Sequence, residues 1–526
     1  MRPLPRWLSL AVVLGVLSAC SSSPLVHGPG PSPGAGGASG GGECNPVGDI
    51  DCGNTINALV LPLLAQDGIT PSIAADTELC RRYSIDLVGV APSWQEYQDH
   101  CQGKSPAEMA DYFLAQPGYV RLNQRLWADA LQLDNRQNWY QYTIDLDAQV
   151  ARLYQGQLSY PDFTAIAVAH PAFVSKFVGE NVVAYAYLAF LGRDALSEER
   201  QDLLSLYRMW MPRQAYDPAL TTFNGQTTNY KEMVINPMRC AGPLGAINCT
   251  SNLFHATVRL DGTAVLTLSQ LSPAQWETLR TPGRMLATLP YYWEAAVDNV
   301  LHKYLGWWHG GYQLPGYELP EVRQALALLF QQGAGDIRLL EREVLTSVLY
   351  IMPAKEAQGD VKFWHYGPSK QMIAEAWLDS VARFTGVDLG VCDWRFPNLA
   401  PRWLPRNLVP PRGQIGGFDY QAEARTMGGC PDQEGQFRYT EVGVLYAMEQ
   451  RDVLASVCSA SAATAFLPPA GTDASGLVRL MYQRALLVDP GPDELQAVAG
   501  MLPGANAQVA RNLCQAVLRS GRFLFY

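Results

Sequence analysis

One motif recurs along this 526-residue chain and constrains its fold more than any other feature. A tyrosine is followed four residues later by a leucine and then by Pro or Ala, with a glutamate four residues beyond the Pro or Ala. The copies are Tyr83/Leu87/Pro92/Glu96, Tyr187/Leu191/Ala195/Glu199 and Tyr482/Leu486/Pro490/Glu494. Tyr and Leu at i, i+4 share one helical face. The Pro or Ala falls where that helix should end, and the Glu falls in the first turn of the next helix, where its charge suits the dipole. A second motif sets an apolar residue, a polar one two on, and an aromatic three further: Leu114/Gln116/Tyr119, Val168/His170/Phe173, Leu345/Ser347/Tyr350 and Leu518/Ser520/Phe523. Both read as repeated helical hairpins, whose usual role is packing rather than chemistry.

The rest of the chain supports a mainly α, multi-helical body with long loops and at most a small β-hairpin. Ser105 caps a helix with Glu108 at its third position, and apolar residues recur through Met109, Tyr112 and Phe113. Similar patterns run over 181–210, 321–331, 336–350, 369–385, 475–487 and 493–519. The alternation His255–Leu260 before Asp261-Gly262 is the best hairpin candidate. The Pro-rich stretch Phe396–Arg412 reads as a long loop.

The first residues carry an address. Arg2 and Arg6 precede an apolar run, Trp7–Leu17, which is shorter than the ~20 residues a bilayer requires but suits a signal peptide core. The run ends in Leu17-Ser18-Ala19-Cys20, which resembles the lipobox of bacterial lipoproteins, in which the thiol of Cys20 takes a diacylglycerol. Several acyl chains anchor a protein stably where one does not. By resemblance to sorted lipoproteins, Ser21 in place of Asp implies the outer membrane, with the body on its periplasmic or cell-surface face. Ser21–Gly42 is Ser, Pro and Gly with little apolar content, the composition of a flexible tether. The expected organisation is therefore a signal peptide over 1–19, lipidated Cys20 and tether over 20–43, a first helical domain over 44–315 and a second over 316–526.

The chain has eleven cysteines, and setting Cys20 aside leaves an even number in a compartment where disulfides persist. Close neighbours suggest Cys44 with Cys52, Cys80 with Cys101, Cys240 with Cys249 and Cys392 with Cys430, leaving Cys458 and Cys514. No tight Cys-x-x-Cys or Cys/His spacing invites a metal. A composition of 48% hydrophobic and 17% charged residues is that of a core-rich globular chain. A net charge of −10 argues against nucleic acid or anionic headgroups as partners.

Short motifs also carry a family resemblance. Leu87-Val88-Gly89-Val90-Ala91-Pro92-Ser93 with Glu96, and Phe113-Leu114-Ala115-Gln116-Pro117-Gly118-Tyr119, resemble the first of two uncharacterised domains found together in large planctomycete surface proteins. Arg342-Glu343-Val344-Leu345-Thr346-Ser347 with Tyr350, Gly367-Pro368-Ser369 with Ala374-Glu375, and Leu518–Phe523 resemble the second. The first domain of that family commonly carries a cytochrome-c-like Cys-x-x-Cys-His after Leu-Gly. Here the comparable place, Leu305-Gly306-Trp307-Trp308-His309, has the Leu-Gly and a His but no Cys. Covalent haem needs both thiols, so the haem role does not carry over. The resemblance also implies an exported sulfatase-like protein, or another envelope protein, as partner.

Trp307-Trp308-His309-Gly310-Gly311-Tyr312 reads as a core plug or as a ligand platform, because indole faces stack on sugars and cations, with His309 as a metal or haem ligand the third reading. The same readings hold for Trp364 and His365. Trp307, Trp308, His309, Tyr312, Trp364 and His365 are therefore the candidate binding residues. Gly-x-Ser-x-Gly and His-Glu-x-x-His are missing, and no carboxylate spacing singles out an acid pair. Gly103-Lys104-Ser105 lacks the first Gly of a phosphate loop, and Asp49-x-Asp51 lacks the Glu of a calcium loop. No catalytic residue, cofactor or metal is assigned. The resulting expectation is an outer-membrane-anchored, disulfide-stapled helical protein that binds or scaffolds an envelope partner. The alternatives are an envelope polysaccharide hydrolase and a non-covalent haem or electron-transfer protein using His309 or His365.

Overall fold

The structure, a computed structural model, describes residues 44–131, 140–174, 181–207, 271–306, 319–354, 362–372, 374–386 and 471–526, with Cys458 and the short strands named below. Helices dominate: α1 (Thr55–Gln66), α2 (Asp76–Tyr83) running into a π turn at Ser84–Val88, α3 (Trp94–His100), α4 (Pro106–Leu114), α5 (Pro117–Ala130), α6 (Tyr140–Tyr154), α7 (Tyr160–Ala169), α8 (Pro171–Val174), α9 (Asn181–Leu191) and α10 (Ser197–Tyr207). There follow α11 (Pro273–Leu279), α12 (Thr281–Leu286), α13 (Tyr292–Leu305), α14 (Pro320–Gln332), α15 (Ile337–Leu345), α16 (Val348–Ile351), α17 (Ala374–Thr385), α18 (Ala474–Leu486), α19 (Pro492–Gly500), α20 (Ala507–Leu518) and α21 (Gly521–Leu524).

β-structure among the described residues is confined to four short antiparallel pairs. Thr257–Arg259 pairs with Val265–Thr267, where the sequence placed its hairpin, in the register Val258 opposite Leu266. Pro212–Arg213 pairs with Met233–Val234, Thr222–Phe223 with Gln226–Thr227, and Gln414–Ile415 with Phe418–Asp419.

The second sequence motif marks one repeated joint. At each of its four sites the polar residue donates its N–H three residues back and accepts the N–H of the aromatic three residues on. His170 N–H reaches the Ala167 carbonyl at 3.1 Å and the Phe173 N–H reaches the His170 carbonyl at 2.9 Å. Ser347 does the same between Val344 and Tyr350, Ser520 between Val517 and Phe523, and Gln116 between Phe113 and Tyr119. His170, Ser347 and Ser520 are extended, so one helix stops and the next starts at an angle without a loop. The aromatic that follows is then turned into the core: Tyr119, Phe173, Tyr350 and Phe523 are all buried.

Caps account for many helix starts. Ser105 and Glu108 close a reciprocal capping box on α4, and Ser272 with Gln275 does so on α11. The apparent phosphate-loop end is therefore a helix cap. The long helical patterns are interrupted where chain chemistry allows: 181–210 breaks between Leu191 and Ser197, and 493–519 breaks between Gly500 and Ala507. One contact depends on a missing side chain. A Cβ at Gly283 would lie 2.4 Å from the Ala165 Cα, so α12 can rest on α7 only with glycine there.

The expected boundary near 315 lies outside the described residues, and helices from both sides of it share one hydrophobic core. α1 packs on α14 and α16, and α13 packs on α14 and α15. The disulfides Cys44–Cys52, Cys80–Cys101 and Cys458–Cys514 are formed. Cys240, Cys249, Cys392 and Cys430 lie outside the described residues, as do the leader, Cys20, the tether and the Pro-rich stretch.

Buried charge ties distant segments together. Asp86 accepts from Lys370 Nζ at 2.5 Å, Tyr526 at 2.8 Å and Tyr350 at 2.9 Å. Burial lowers the Lys370 ammonium pKa and Asp86 opposes that shift, the pattern of a charge kept by its partner. A neighbouring group joins Lys303 to Glu341 at 2.8 Å and to Asn123 at 2.7 Å, while Tyr119 donates to the other Glu341 oxygen. Each polar contact named here is made to another part of the protein, which makes both clusters braces of the fold. No described helix is long and apolar enough to cross a membrane.

Candidate functional site

The first sequence motif builds a brace that the spacing alone did not reveal. In each copy the closing glutamate receives one arginine and one tyrosine. Glu96 receives Arg383 at 2.9 Å and Tyr112 at 3.3 Å. Glu199 receives Arg193 at 2.6 and 2.8 Å and Tyr291. Glu494 receives Arg522 at 2.9 Å and Tyr482 at 3.1 Å. Burial, and then Glu96, push the Tyr112 phenol up to about 12, so at neutral pH it is a donor.

One brace opens onto a cleft. The cleft has a volume of about 500 Å³ and is bounded by the loop Ala91–Ser93, the start of α3, the end of α17, Arg484 and Ala485 of α18, and Phe523 of α21. That volume is in the usual range for small-ligand sites, about 300–1,000 Å³. Its walls are tied by specific bonds. The Ala91 N–H donates to Ser380 Oγ at 2.9 Å, and Ser380 donates to the Ala376 carbonyl at 2.6 Å. Arg81, buried behind the cleft, donates to the Ala485 carbonyl at 3.0 Å and the Phe523 carbonyl at 2.7 Å. Burial lowers the Arg81 pKa to about 10, which still leaves it a cation at neutral pH. The Phe384 and Phe523 rings lie 6.2 Å apart, and Trp94 is half-buried beside Tyr97.

Arg383 is the best-placed cation on the wall. Its Nη1 makes both of its bonds, to the Ala91 carbonyl at 3.1 Å and to Glu96. Its Nε and Nη2 have no partner among the described residues. Arg484 lines the cleft as well, and no carboxylate is among the lining residues. Both charged residues of the lining are therefore cations, in a chain of net charge −10. One turn before Arg383, Asp379 is 4% exposed, with Oδ1 unpaired. Burial pushes its carboxyl up to about 7, against the pull of Arg383 and Arg121.

The residues singled out from the sequence lie elsewhere. Trp307, Trp308, His309 and Tyr312 are outside the described residues. Trp364 is 3% exposed and belongs to the core, the packing side of its two readings. His365 Nε2 meets Asp67 Oδ2 at 2.9 Å, and Lys362 meets the same oxygen at 2.8 Å. Those two bonds, Lys362 first, hold the Asp67 carboxyl below the ordinary aspartate range. His170, at a joint of the second motif, meets Asp145 at 3.1 Å. Among the described residues no group of three or more His, Cys, Asp or Glu is placed to hold a metal.

Sequence reasoning missed Trp94, Arg383 and Arg484. Trp94 stood in plain view between Pro92 and Glu96. Arg383 lies 287 residues from the glutamate it meets, a partnership that no local pattern reveals.

A model of the family described as PSCyt2, a protein of unknown function (DUF1549), matches residues 55–228. The match covers the Leu87–Glu96 and Phe113–Tyr119 motifs and agrees with the resemblance drawn for the first of the two domains. It includes the Ala91–Gln95 wall of the cleft and stops before Arg383. No curated protein matches the chain, and no solved structure does.

Proposed function

We propose that this chain is a lipid-anchored binding protein of the cell envelope that holds a ligand in the Trp94–Arg383–Arg484 cleft. The cleft itself carries the reading: a 500 Å³ concavity with aromatic walls and a guanidinium positioned by its neighbours. The address supports the location. The Leu17–Cys20 lipobox would tether the body to the outer membrane, and the Ser/Pro/Gly run of 21–42 would let it stand clear. The formed disulfides suit an oxidising compartment. The lining has no carboxylate, so the paired acids that glycoside hydrolysis requires are not in this cleft. The partner implied by family resemblance, an exported sulfatase-like protein, is a second occupant of the same envelope rather than of the cleft.

Two measurements test this. Replacing Cys20 with Ala should move the protein from the membrane to the soluble fraction, and unchanged membrane association refutes the anchor. The purified mature protein should sediment with isolated envelope polymers, and Trp94→Ala should reduce that fraction several-fold. Failure to sediment with any envelope fraction refutes the binding role.

A further inference from the structure

The binding reading leaves the ligand open, and the cleft's chemistry narrows it. Arg383 is held from one side only. The Ala91 carbonyl and Glu96 both take Nη1, so the guanidinium is fixed in place while Nε and Nη2 have no partner among the described residues. That pair of nitrogens is the edge of the guanidinium fork that takes a carboxylate or a sulfate with two parallel hydrogen bonds. Arg484 adds a second guanidinium to the lining, and Glu96, which is not among the lining residues, is already engaged by Arg383 Nη1.

The rest of the lining suits a polar ring. Trp94, half-buried, supplies the accessible aromatic surface in front of the buried Phe384 and Phe523 rings, and an indole face stacks on the C–H face of a sugar. Gln95 donates its amide to Asp99 at 2.8 Å, and its carbonyl oxygen has no partner among the described residues. Ser93 Oγ accepts the Glu96 N–H at 3.0 Å, which leaves its hydroxyl hydrogen to donate. Hydroxyl-binding groups beside an aromatic face distinguish a sugar from a flat aromatic acid, which would leave them unsatisfied.

Resting on the proposed binding role, we infer that the cleft recognises an acidic saccharide, a sugar ring whose carboxylate or sulfate sits on the Nε/Nη2 edge of Arg383 while its apolar face lies on Trp94. The charge and the ring are read by different residues, so the two contributions separate experimentally. Arg383→Lys keeps the charge and removes the fork. Trp94→Ala keeps the fork and removes the platform. Arg193→Lys alters the corresponding brace at Glu199, which does not line the cleft, and serves as the folding control.

The experiment is calorimetric titration of the mature, disulfide-intact protein with tri-galacturonate, a sulfated chondroitin disaccharide, neutral cellotriose and sodium sulfate. At least one acidic sugar should bind ten-fold or more tightly than cellotriose and than inorganic sulfate. Galacturonate alone binding identifies a carboxylate ligand, and binding of the chondroitin disaccharide alone that is lost with its unsulfated counterpart identifies a sulfate ligand. Arg383→Lys and Trp94→Ala should each weaken the preferred sugar ten-fold or more, and Arg193→Lys should leave it unchanged. Acidic sugars binding no better than cellotriose overturn the inference, as does full binding by Arg383→Lys. Sedimentation with envelope polymers that persists without acidic-sugar binding refutes the ligand class and leaves the binding role standing, while loss of both refutes the role itself. Thermal melting of every variant shows that each remains folded.

Discussion

At Glu199 and at Glu96 the chain assembles the same three side chains, a carboxylate, a guanidinium and a phenol, and puts them to different use. Around Glu199 the assembly is closed. Arg193 meets both carboxylate oxygens, lies 4.3 Å from the Tyr291 ring and 5.2 Å from the Tyr187 ring, and its side chain is 12% exposed. Around Glu96, Arg383 meets the carboxylate through Nη1 alone and its side chain is 37% exposed on the wall of a cleft. The difference follows from where the arginine comes from. Arg193 stands six residues before its glutamate, in the turn that joins α9 to α10, so one hairpin closes on itself. Arg383 arrives from α17, far along the chain, and the Ala91 loop it meets is joined to α17 by hydrogen bonds at Ala91, with the cleft beside them. A gap between segments is where a ligand can enter.

The sharpest way to break this comparison is to overfill the closed region. Gly283→Ala should destabilise the protein by about 3 kcal/mol, because the added methyl meets backbone of α7 rather than a side chain that can turn away. Chemical denaturation measures it, and a loss below about 1 kcal/mol would show that α7 and α12 can part. Next in size, Arg193→Ala should cost about 2 kcal/mol, because it leaves the largely enclosed Glu199 carboxylate without its counter-charge. Arg383→Ala should cost less than about 1 kcal/mol, the ordinary range for an exposed pair. Equal losses at the two arginines would erase the distinction between a closed and an open brace.

Asp379 supplies a pH test of the open region. Burial holds its carboxyl at about 7, well above the unfolded value near 4, so the native state binds more protons than the unfolded state between those limits. Stability should therefore fall as pH rises from about 4 to 7 and level off above that. Asp379→Asn removes this dependence, so its stability relative to the parent should rise by up to about 4 kcal/mol between pH 4 and pH 8. Denaturation midpoints at the two pH values check it, and a constant difference would mean that Asp379 stays ionised in the fold.

The smallest expected effect concerns Asp67, which Lys362 and His365 hold below its usual range. A carboxyl lowered in this way contributes stability above its unfolded pKa and loses it as pH falls through the folded value. Asp67→Asn should shift the thermal midpoint by a degree or so at pH 7 and by nothing measurable at pH 3, because the pair is at the surface.

Much of the helical layout was legible before any coordinates. The Tyr–Leu spacing placed the ends of α9 and α18, Ser105 with Glu108 placed the start of α4, and neighbour spacing paired Cys44 with Cys52 and Cys80 with Cys101. These succeed because helices, caps and short disulfides depend on residues a few positions apart. Trp364 shows the limit of that reach. Its ring has the same chemistry in a core and on a ligand, and only the cover supplied by surrounding elements makes it core.

By itself the sequence determined that this chain is helical and repeated, because hydrophobic period, turn residues and cap residues all act locally. It also marked the three glutamates that close the first motif. Only the tertiary structure decided what those glutamates meet, because Arg383 and Arg193 are equivalent as residues and differ only in the segments that bring them in. The cleft exists for the same reason. It is the space left between Pro92, Arg383, Arg484 and Phe523, four positions joined by packing across most of the chain and by no pattern along it.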